Sequence, residues 1–133
     1  GLIETLGGPA IGGVGFGLGV DRTCLAVQAE GIKLVDEATT DVFFIPVGAD
    51  AVRKVVGLTG SVRAAGINSD IAYDGRSIKA AMKSADRSGA KFAVIVGEDE
   101  LLNSTVVLKN LLTGAQENLP VDSLINTLLD QLN

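Results

Sequence analysis

Short apolar runs from residue 41 onward predict the strands of a sheet. Two of the runs are continuous, which is typical of strands that are covered on both faces. Three others are shorter or more polar and predict more exposed strands, and a turn at Thr113 and Gly114 separates the last two. The predicted strands span residues 42–47, 69–73, 92–96, 105–112 and 116–119.

Apolar residues spaced three and four positions apart predict helices at 50–65, at 77–88 and from Asp122 or Ser123 through Leu132. Gly89 is expected to end the second of these helices. The side chains expected to face the sheet are Val52, Val55, Val56 and Val62 in the first helix and Ile78, Ala81, Met82 and Ala85 in the second. The order βαβαβ followed by ββα predicts an α/β fold, with a mixed sheet and helices on both of its faces.

The beginning of the chain has a different pattern, in which glycine alternates with apolar residues. A strand at 13–20 would place all of its glycines on one face and its apolar side chains on the other. Glycine weakens a strand, so the bare face implies either the close approach of a flat ligand, such as a purine ring, or packing under another backbone. A helix is predicted from about Asp21, and Arg22 at its start suits either a phosphate or a structural ion pair.

A basic segment lies between residues 76 and 91 of a chain whose net charge is −5. Its cations are Arg76, Lys79, Lys83, Arg87 and Lys91. On a helix with about 100° per residue, the first four of them lie on one side, opposite the apolar residues. This stripe is either a solvated helix face or a surface for phosphate groups.

The composition excludes several kinds of chemistry. The chain has no histidine and a single cysteine, Cys24, so imidazole-dependent catalysis and an internal disulfide are excluded and no metal site is expected. No apolar run approaches the roughly 18 residues of a membrane span, and no secretory signal is apparent, so a cytoplasmic protein is expected. The first residue is Gly, which is explained either by processing or by excision from a longer chain.

The segment Gly17-Leu-Gly-Val-Asp-Arg22 resembles motif 3 of class II aminoacyl-tRNA synthetases, with Asp21 where that family usually has Glu. The resemblance implies that Gly17 and Gly19 line an ATP site and that Arg22 contacts the γ-phosphate, with ATP and Mg²⁺ as cofactors of a longer parent enzyme. Residues 1–8 are similar to the segment that precedes motif 3 in histidyl-tRNA synthetases. The other catalytic motifs of that family are absent, so we expect a catalytically inactive C-terminal fragment that needs no cofactor of its own.

Residues 77–101, with 107–111 and 113–116, are similar to the anticodon-binding domain of the histidyl type. This resemblance implies a three-layer α/β/α domain with a five-stranded mixed sheet, which binds the anticodon loop of tRNA-His. The implied parent is a homodimeric histidine–tRNA ligase that activates histidine with ATP, and neither DNA nor a membrane is an expected partner. The implied organisation is a catalytic-domain tail at 1–31, which would pack on the remainder of that domain, a linker at 32–40 and an anticodon-binding domain at 41–133.

The same resemblance implies two groups of residues as candidates for RNA binding. Lys79, Lys83 and Arg87 are expected to contact phosphates, which position an RNA without reading its sequence. Glu100, Lys109 and Gln116, together with Glu98 and Asn110, are candidates for contacts to the edges of unstacked bases. The acidic stretch 98–100 is alternatively a solvated turn, or a partner of the basic helix.

Two other functions are compatible with the pattern. Threonyl-, prolyl- and glycyl-tRNA synthetases share this domain fold, although the lysine-rich helix and the Thr113-Gly-x-Gln116 turn favour the histidyl type. A flavodoxin-like binding domain without an RNA role is the other alternative. A receiver domain of that kind requires acidic residues at the ends of its first and third strands, where this chain has Val47-Gly48 and Val96-Gly97-Glu98.

Overall fold

The structure of the protein, a computed structural model, describes residues 1–32, 40–73, 75 and 77–132. The chain divides into two compact units, Gly1–Asp36 and Glu37–Asn133. The division falls within the linker predicted at 32–40, but residues 33–39 lie outside the described part of the chain. The predicted domain boundaries therefore stay a prediction.

The described residues of the first unit contain two helices, α1 (Leu2–Thr5), which the sequence pattern missed, and α2 (Val20–Ala29). The predicted helix is confirmed, and it starts at Gly19, whose carbonyl oxygen accepts hydrogen bonds from both the amide and the hydroxyl of Thr23 at 3.0 Å. The prediction of a strand at 13–20 is wrong, because residues 13–19 form no strand in this unit and Phe16 is 99% exposed. A strand needs a neighbouring strand for its backbone hydrogen bonds and other apolar side chains to cover its apolar face. No residue of α1 or α2 is buried, so neither helix packs against residues 13–19.

Across the part of the second unit that the structure describes, there are five strands and four α-helices. In chain order its elements are β1 (Val42–Pro46), α3 (Ala49–Ala64), β2 (Ser69–Ile71), α4 (Ile78–Arg87), β3 (Phe92–Val96), α5 (Glu98–Asn103), β4 (Thr105–Asn110), β5 (Gln116–Pro120), a 3₁₀ turn at Val121–Ser123 and α6 (Leu124–Leu132). The predicted βαβαβ order is confirmed, whereas the prediction that β3 leads directly to the next strand is wrong. Helix α5 was missed because six residues are too few to display a helical apolar period.

The strands form one mixed sheet in the order β2-β1-β3-β4-β5. The first three strands are parallel, and β4 and β5 are antiparallel to their neighbours. The chain crosses from β1 to β2 in one direction and from β2 past β1 to β3 in the other. Because such crossovers are right-handed, α3 and α4 lie on opposite faces of the sheet, and the predicted three-layer α/β/α fold is confirmed.

Each face of the sheet has its own apolar core. On the larger side, α3 and α6 cover alternate strand residues such as Phe44, Val94 and Leu108. On the other side, α4 packs through Ala81 and Ala85 against Phe43, Ile45 and Ala93, so the small residues predicted to face the sheet do so. The helix begins where the Ser77 hydroxyl accepts a hydrogen bond from the Ala80 amide at 3.3 Å, and it ends at Gly89, whose φ is 72°.

Helix α3 buries a different set of residues from the predicted one. Val55 and Val62 face the sheet as expected, together with Ala51 and Thr59. Thr59 is tolerated there because its hydroxyl donates to the Val55 carbonyl at 2.8 Å. Val52 and Val56 were predicted to face inward but are 42% and 58% exposed.

The exposure of these two valines follows from the length of β2. That strand was predicted to extend to residue 73, but it ends at Ile71, opposite Phe44. The last two residues of β1 therefore have no β2 partner, and the flank of α3 that carries Val52 and Val56 has no strand to cover it. Ile78, also predicted to face inward, is 48% exposed at the same end of the sheet.

Candidate functional site

Helix α4 presents a stripe of cations to solvent. Lys79, Lys83 and Arg87 are all exposed, and they lie opposite the buried Ala81 and Ala85. At about 1.5 Å of rise per residue, the stripe is about 12 Å long. We call these three residues the basic stripe.

The basic segment has two other cations, Arg76 and Lys91. Arg76 lies outside the described residues. The Lys91 ammonium group is 3.1 Å from a carboxylate oxygen of Asp41, an ion pair between the residues that precede β3 and β1. Lys91 therefore joins two strands rather than extending the basic stripe.

Lys109 and Gln116 lie on the face of the sheet that α4 covers. Ala93, which packs under α4, is paired with Lys109, and Lys109 is paired in turn with Gln116. Side chains of directly paired residues point to the same face of a sheet. On this face Val107 and Lys109 are half-buried, and Gln116 and Asn118 are exposed. The β4–β5 half of the face is thus a polar surface beside α4, and we call it the open face.

The residues of the basic stripe are spread along α4 from one end of the sheet to the other. Ser77 and Ile78 border a cavity at the carboxyl end of β1. At the other end of the helix, Asp86 and Gly89 border a cavity of about 440 Å³ together with Asn110, the last residue of β4. Arg87 therefore lies at the same end of the sheet as Lys109 and Gln116, whereas Lys79 lies at the opposite end.

The structure does not bring Glu100 together with the other candidates. Helix α5 packs through Leu101 on the larger core, on the sheet face opposite α4. One carboxylate oxygen of Glu100 accepts a hydrogen bond from the Gly97 amide at 2.8 Å, which caps the start of α5. The acidic stretch is thus the first turn of a helix, where carboxylates are favoured by the helix dipole.

Asn110, another candidate for base contacts, shapes the turn between β4 and β5. Its side-chain oxygen accepts hydrogen bonds from the amides of Leu112 and Thr113 at 3.0 and 2.9 Å. Gly114 follows with a φ of 76°, which favours glycine. These bonds place Gln116 at the start of β5, opposite Lys109.

The residues predicted to bind ATP all lie in the first unit. Gly17, Gly19 and Arg22 are exposed. A methyl group added to Gly17 would meet no atom within 4 Å, and one added to Gly19 would meet only the Arg22 side chain. Within this unit no other group closes over the two glycines, and the assignment of the three residues to an ATP site stays a prediction.

Two further findings concern the described part of the chain. No group of three or more histidine, cysteine or acidic side chains is arranged to hold a metal ion there. None of the helices in those ranges is both long enough and apolar enough to cross a membrane.

Sequence reasoning missed a cavity at the carboxyl end of β1. It has a volume of about 730 Å³ and lies where β2 leaves the sheet edge. Its border includes the valines of α3 that were predicted to be buried, Val52 and Val56, and also Tyr73 and Ile78. Tyr73, the only tyrosine of the chain, follows β2 and is 62% exposed, but no sequence pattern around it signals a cavity.

The second unit matches a known domain family. The family model of the anticodon binding domain matches residues 41–131. This range includes every strand of the sheet, the basic stripe and the open face.

The whole chain is also similar to curated proteins named histidine–tRNA ligase. It is 48% identical over 132 residues to the protein of Saccharopolyspora erythraea, covering 99% of this chain and 31% of that protein. The relative from Rhodococcus erythropolis is 48% identical over 130 residues, covering 98% of this chain and 31% of its own length. The chain thus spans about a third of the length of these relatives, and the expected similarity to the histidyl type is confirmed.

Solved structures agree with this similarity. The apo histidyl-tRNA synthetase of S. aureus is 39% identical with a TM-score of 0.65, covering 82% of this chain and 28% of that one. The RNA binding domain of threonyl-tRNA synthetase from Cryptosporidium parvum has a TM-score of 0.64 at 17% identity, covering 69% of this chain and 23% of that one. The second likeness concerns the fold alone.

Proposed function

This chain belongs to the anticodon-binding domain family, and on that premise we propose that it is the tRNA-binding part of a histidine–tRNA ligase. Residues 41–133 bind the anticodon loop of tRNA-His in this proposal. The observation that carries it is the placement of the basic stripe beside the open face. A cationic helix holds the RNA backbone, while a neighbouring polar surface accepts unstacked bases.

The two surfaces have different tasks in this proposal. Lys79, Lys83 and Arg87 attract phosphates, which fixes the position of the loop but does not distinguish its sequence. Lys109 and Gln116 offer an ammonium group and an amide to base edges, and sequence-specific recognition of RNA relies on such contacts to splayed bases. One carboxylate oxygen of Glu100 accepts a hydrogen bond from the Gly97 amide, and the carboxylate keeps further acceptor sites for a base contact.

The longer protein is proposed to charge tRNA-His with histidine in the cytoplasm, as a homodimer that uses ATP and Mg²⁺. Gly17, Gly19 and Arg22 are the proposed ATP contacts of that enzyme, with the remainder of the catalytic domain as their partner. No catalytic step is assigned to these three residues. The 133-residue chain alone is expected to show no ATP–pyrophosphate exchange.

The proposal predicts which end of the tRNA is bound. A hairpin made of the anticodon stem and loop of tRNA-His should bind the chain almost as well as the whole tRNA, because the loop supplies both the phosphates and the unstacked bases. A duplex made of the acceptor arm should bind at least about tenfold more weakly, which is about 1.4 kcal/mol. Filter binding at one fixed salt concentration measures both.

The acceptor duplex is the matched control, because it carries phosphates but lacks the anticodon loop. Equal affinities for the hairpin and the duplex would show that the chain binds RNA only through general attraction between the basic stripe and phosphates, without recognising the anticodon loop. No binding of either RNA would reject the proposed function.

A further inference from the structure

A second cavity lies beside the turn between β4 and β5. Its volume of about 440 Å³ is within the range of binding clefts, roughly 300–1,000 Å³. The half-buried Leu111 and the buried Phe92 border it, and so does Leu112, which is 92% exposed. Turns are usually built from Gly, Pro, Asn, Asp and Ser, so two leucines at this turn require an explanation. Apolar side chains grouped around a cavity mark a contact with another molecule more often than an isolated exposed side chain does.

Hydrogen bonds tie down the backbone of this turn. The side-chain oxygen of Asn110 accepts a hydrogen bond from the Leu112 amide at 3.0 Å, and its carbonyl oxygen accepts one from the Gly114 amide at 2.9 Å. The Leu111 amide donates to the Lys91 carbonyl oxygen, also at 2.9 Å, which fixes the turn to the start of β3. Because the turn is already ordered in the free chain, a contact made through Leu112 loses little conformational entropy.

The end of the sheet that carries this cavity is also where the chain enters β1. The amides of Lys91 and Phe92 donate to the Asp41 carbonyl oxygen at 2.9 and 3.0 Å, in addition to the ion pair between Lys91 and Asp41. Asp41 directly follows the linker predicted at 32–40. Any part of a longer protein that is joined through this linker is therefore tethered at the same end of the sheet as the cavity.

Most of the proposed ligase lies outside this chain, which covers 31% of the relative from Saccharopolyspora erythraea. A linker of the predicted length spans at most about 30 Å when fully extended. Such a tether raises the effective concentration of two surfaces to the millimolar range, so a contact of a few side chains is enough to keep them together. The exposed Asp86 and Lys91 also border the cavity and give its apolar centre a polar rim, which is typical of surfaces between proteins.

We propose that the cavity bordered by Leu111, Leu112 and Phe92 is the surface on which the part of the ligase outside this chain docks, with Leu112 packed between apolar side chains of that part. The inference rests on the proposed function, because it requires a longer ligase. Docking holds the second unit in one orientation, so that a tRNA bound by its anticodon loop presents its other end to the catalytic site. Leu112 is thus a positioning residue, which touches neither the RNA nor the reacting groups.

The test compares Leu112→Ser with the unchanged sequence in the full-length ligase that contains this chain. Loss of docking should make the linker more accessible, so trypsin cleavage after Lys33 should become at least about fivefold faster. Charging of whole tRNA-His should fall about fivefold in kcat/KM, because the bound tRNA is less well oriented. Charging of a duplex made of the acceptor arm, which lacks the anticodon loop, should stay unchanged.

Three controls accompany this variant. In the 133-residue chain, Leu112→Ser should leave both the affinity for the anticodon hairpin and the urea midpoint unchanged, since Leu112 is exposed there. Leu112→Met keeps an apolar side chain and should restore cleavage and charging to nearly those of the unchanged ligase. Leu102→Ser removes a leucine that is 78% exposed on α5, on the face of the sheet opposite α4, and should change none of these quantities.

The other outcomes separate this inference from the proposed function. If Leu112→Ser changes neither the cleavage of the linker nor the charging of whole tRNA-His, the docking proposal is overturned. It is also overturned if the substitution weakens hairpin binding by the 133-residue chain as much as it lowers charging, since the turn then contacts RNA. Failure of the unchanged chain to bind the hairpin would reject the proposed function, whereas the cleavage of the linker would still decide whether the cavity is a docking surface.

Discussion

Replacing Phe44 by alanine is expected to lower the free energy of unfolding of the second unit by about 3–5 kcal/mol. Phe44 is fully buried in the centre of β1, where it is paired with Ile71 of β2 and Val94 of β3. Its removal leaves a cavity between the sheet and α3 that the surrounding side chains cannot fill. Urea unfolding followed by circular dichroism measures the loss as a shift of the transition midpoint.

Phe16→Ala is the matched control for this variant. It removes the same side chain from a position that is 99% exposed, and its effect on the same transition should stay within about 0.5 kcal/mol. Equal losses for the two variants, or a loss below about 1 kcal/mol for Phe44→Ala, would contradict the assignment of the core to the faces of the sheet.

Replacing Lys79 and Lys83 together by alanine is expected to weaken binding of the anticodon hairpin by about tenfold to a hundredfold, whatever the sequence of its loop. Each lysine that neutralises a phosphate of a single strand contributes about 0.7 to the slope of log affinity against log salt concentration, so the slope should fall by about 1.4. Neither lysine is packed in the core, so stability should be unaffected. Binding measured at several salt concentrations gives both quantities.

A control with an equal change in net charge separates local contacts from the overall charge of the protein. Arg22 and Lys54 are exposed and belong to neither the basic stripe nor the open face, so their joint replacement by alanine should change the affinity little. If the two double variants lose affinity equally, or if the Lys79 and Lys83 variant binds like the unchanged chain, the basic stripe is not the phosphate-binding surface.

The apolar pattern was sufficient to predict the sheet and helix α4. Runs such as 42–47 and 92–96 can only be buried between two layers, and right-handed crossovers then fix the faces on which α3 and α4 lie. Helix α4 was predicted at 77–88 and spans Ile78–Arg87, and its ends were predictable to within one residue because Ser77 caps its start and Gly89 follows its end.

The features that the pattern missed depend on contacts between distant parts of the chain. A strand at 13–20 has the right alternation, but alternation does not supply a neighbouring strand. Val52 and Val56 have helical spacing with Val55, yet β2 ends too early to cover them. The cavity beside Tyr73 arises from this early end, so no local sequence pattern could have predicted it.

The candidate site was only partly predictable from the sequence, because some of its features depend on contacts between distant parts of the chain. The basic stripe is a local property of one helix and was predictable from spacing. The pairing of Lys109 with Gln116 depends on the β4–β5 register, and the separation of Glu100 from both depends on helix α5.

The most direct test of the proposed function compares tRNA-His with the same tRNA in which only the anticodon bases are replaced, at about 0.15 M salt. The two RNAs present the same phosphates, so the basic stripe cannot distinguish them, and any difference in affinity reports on contacts to the anticodon bases. We predict that the chain binds tRNA-His with its own anticodon at least about tenfold more tightly than the tRNA with the replaced anticodon, a difference of about 1.4 kcal/mol. Equal dissociation constants for the two RNAs would contradict recognition of the anticodon by this domain.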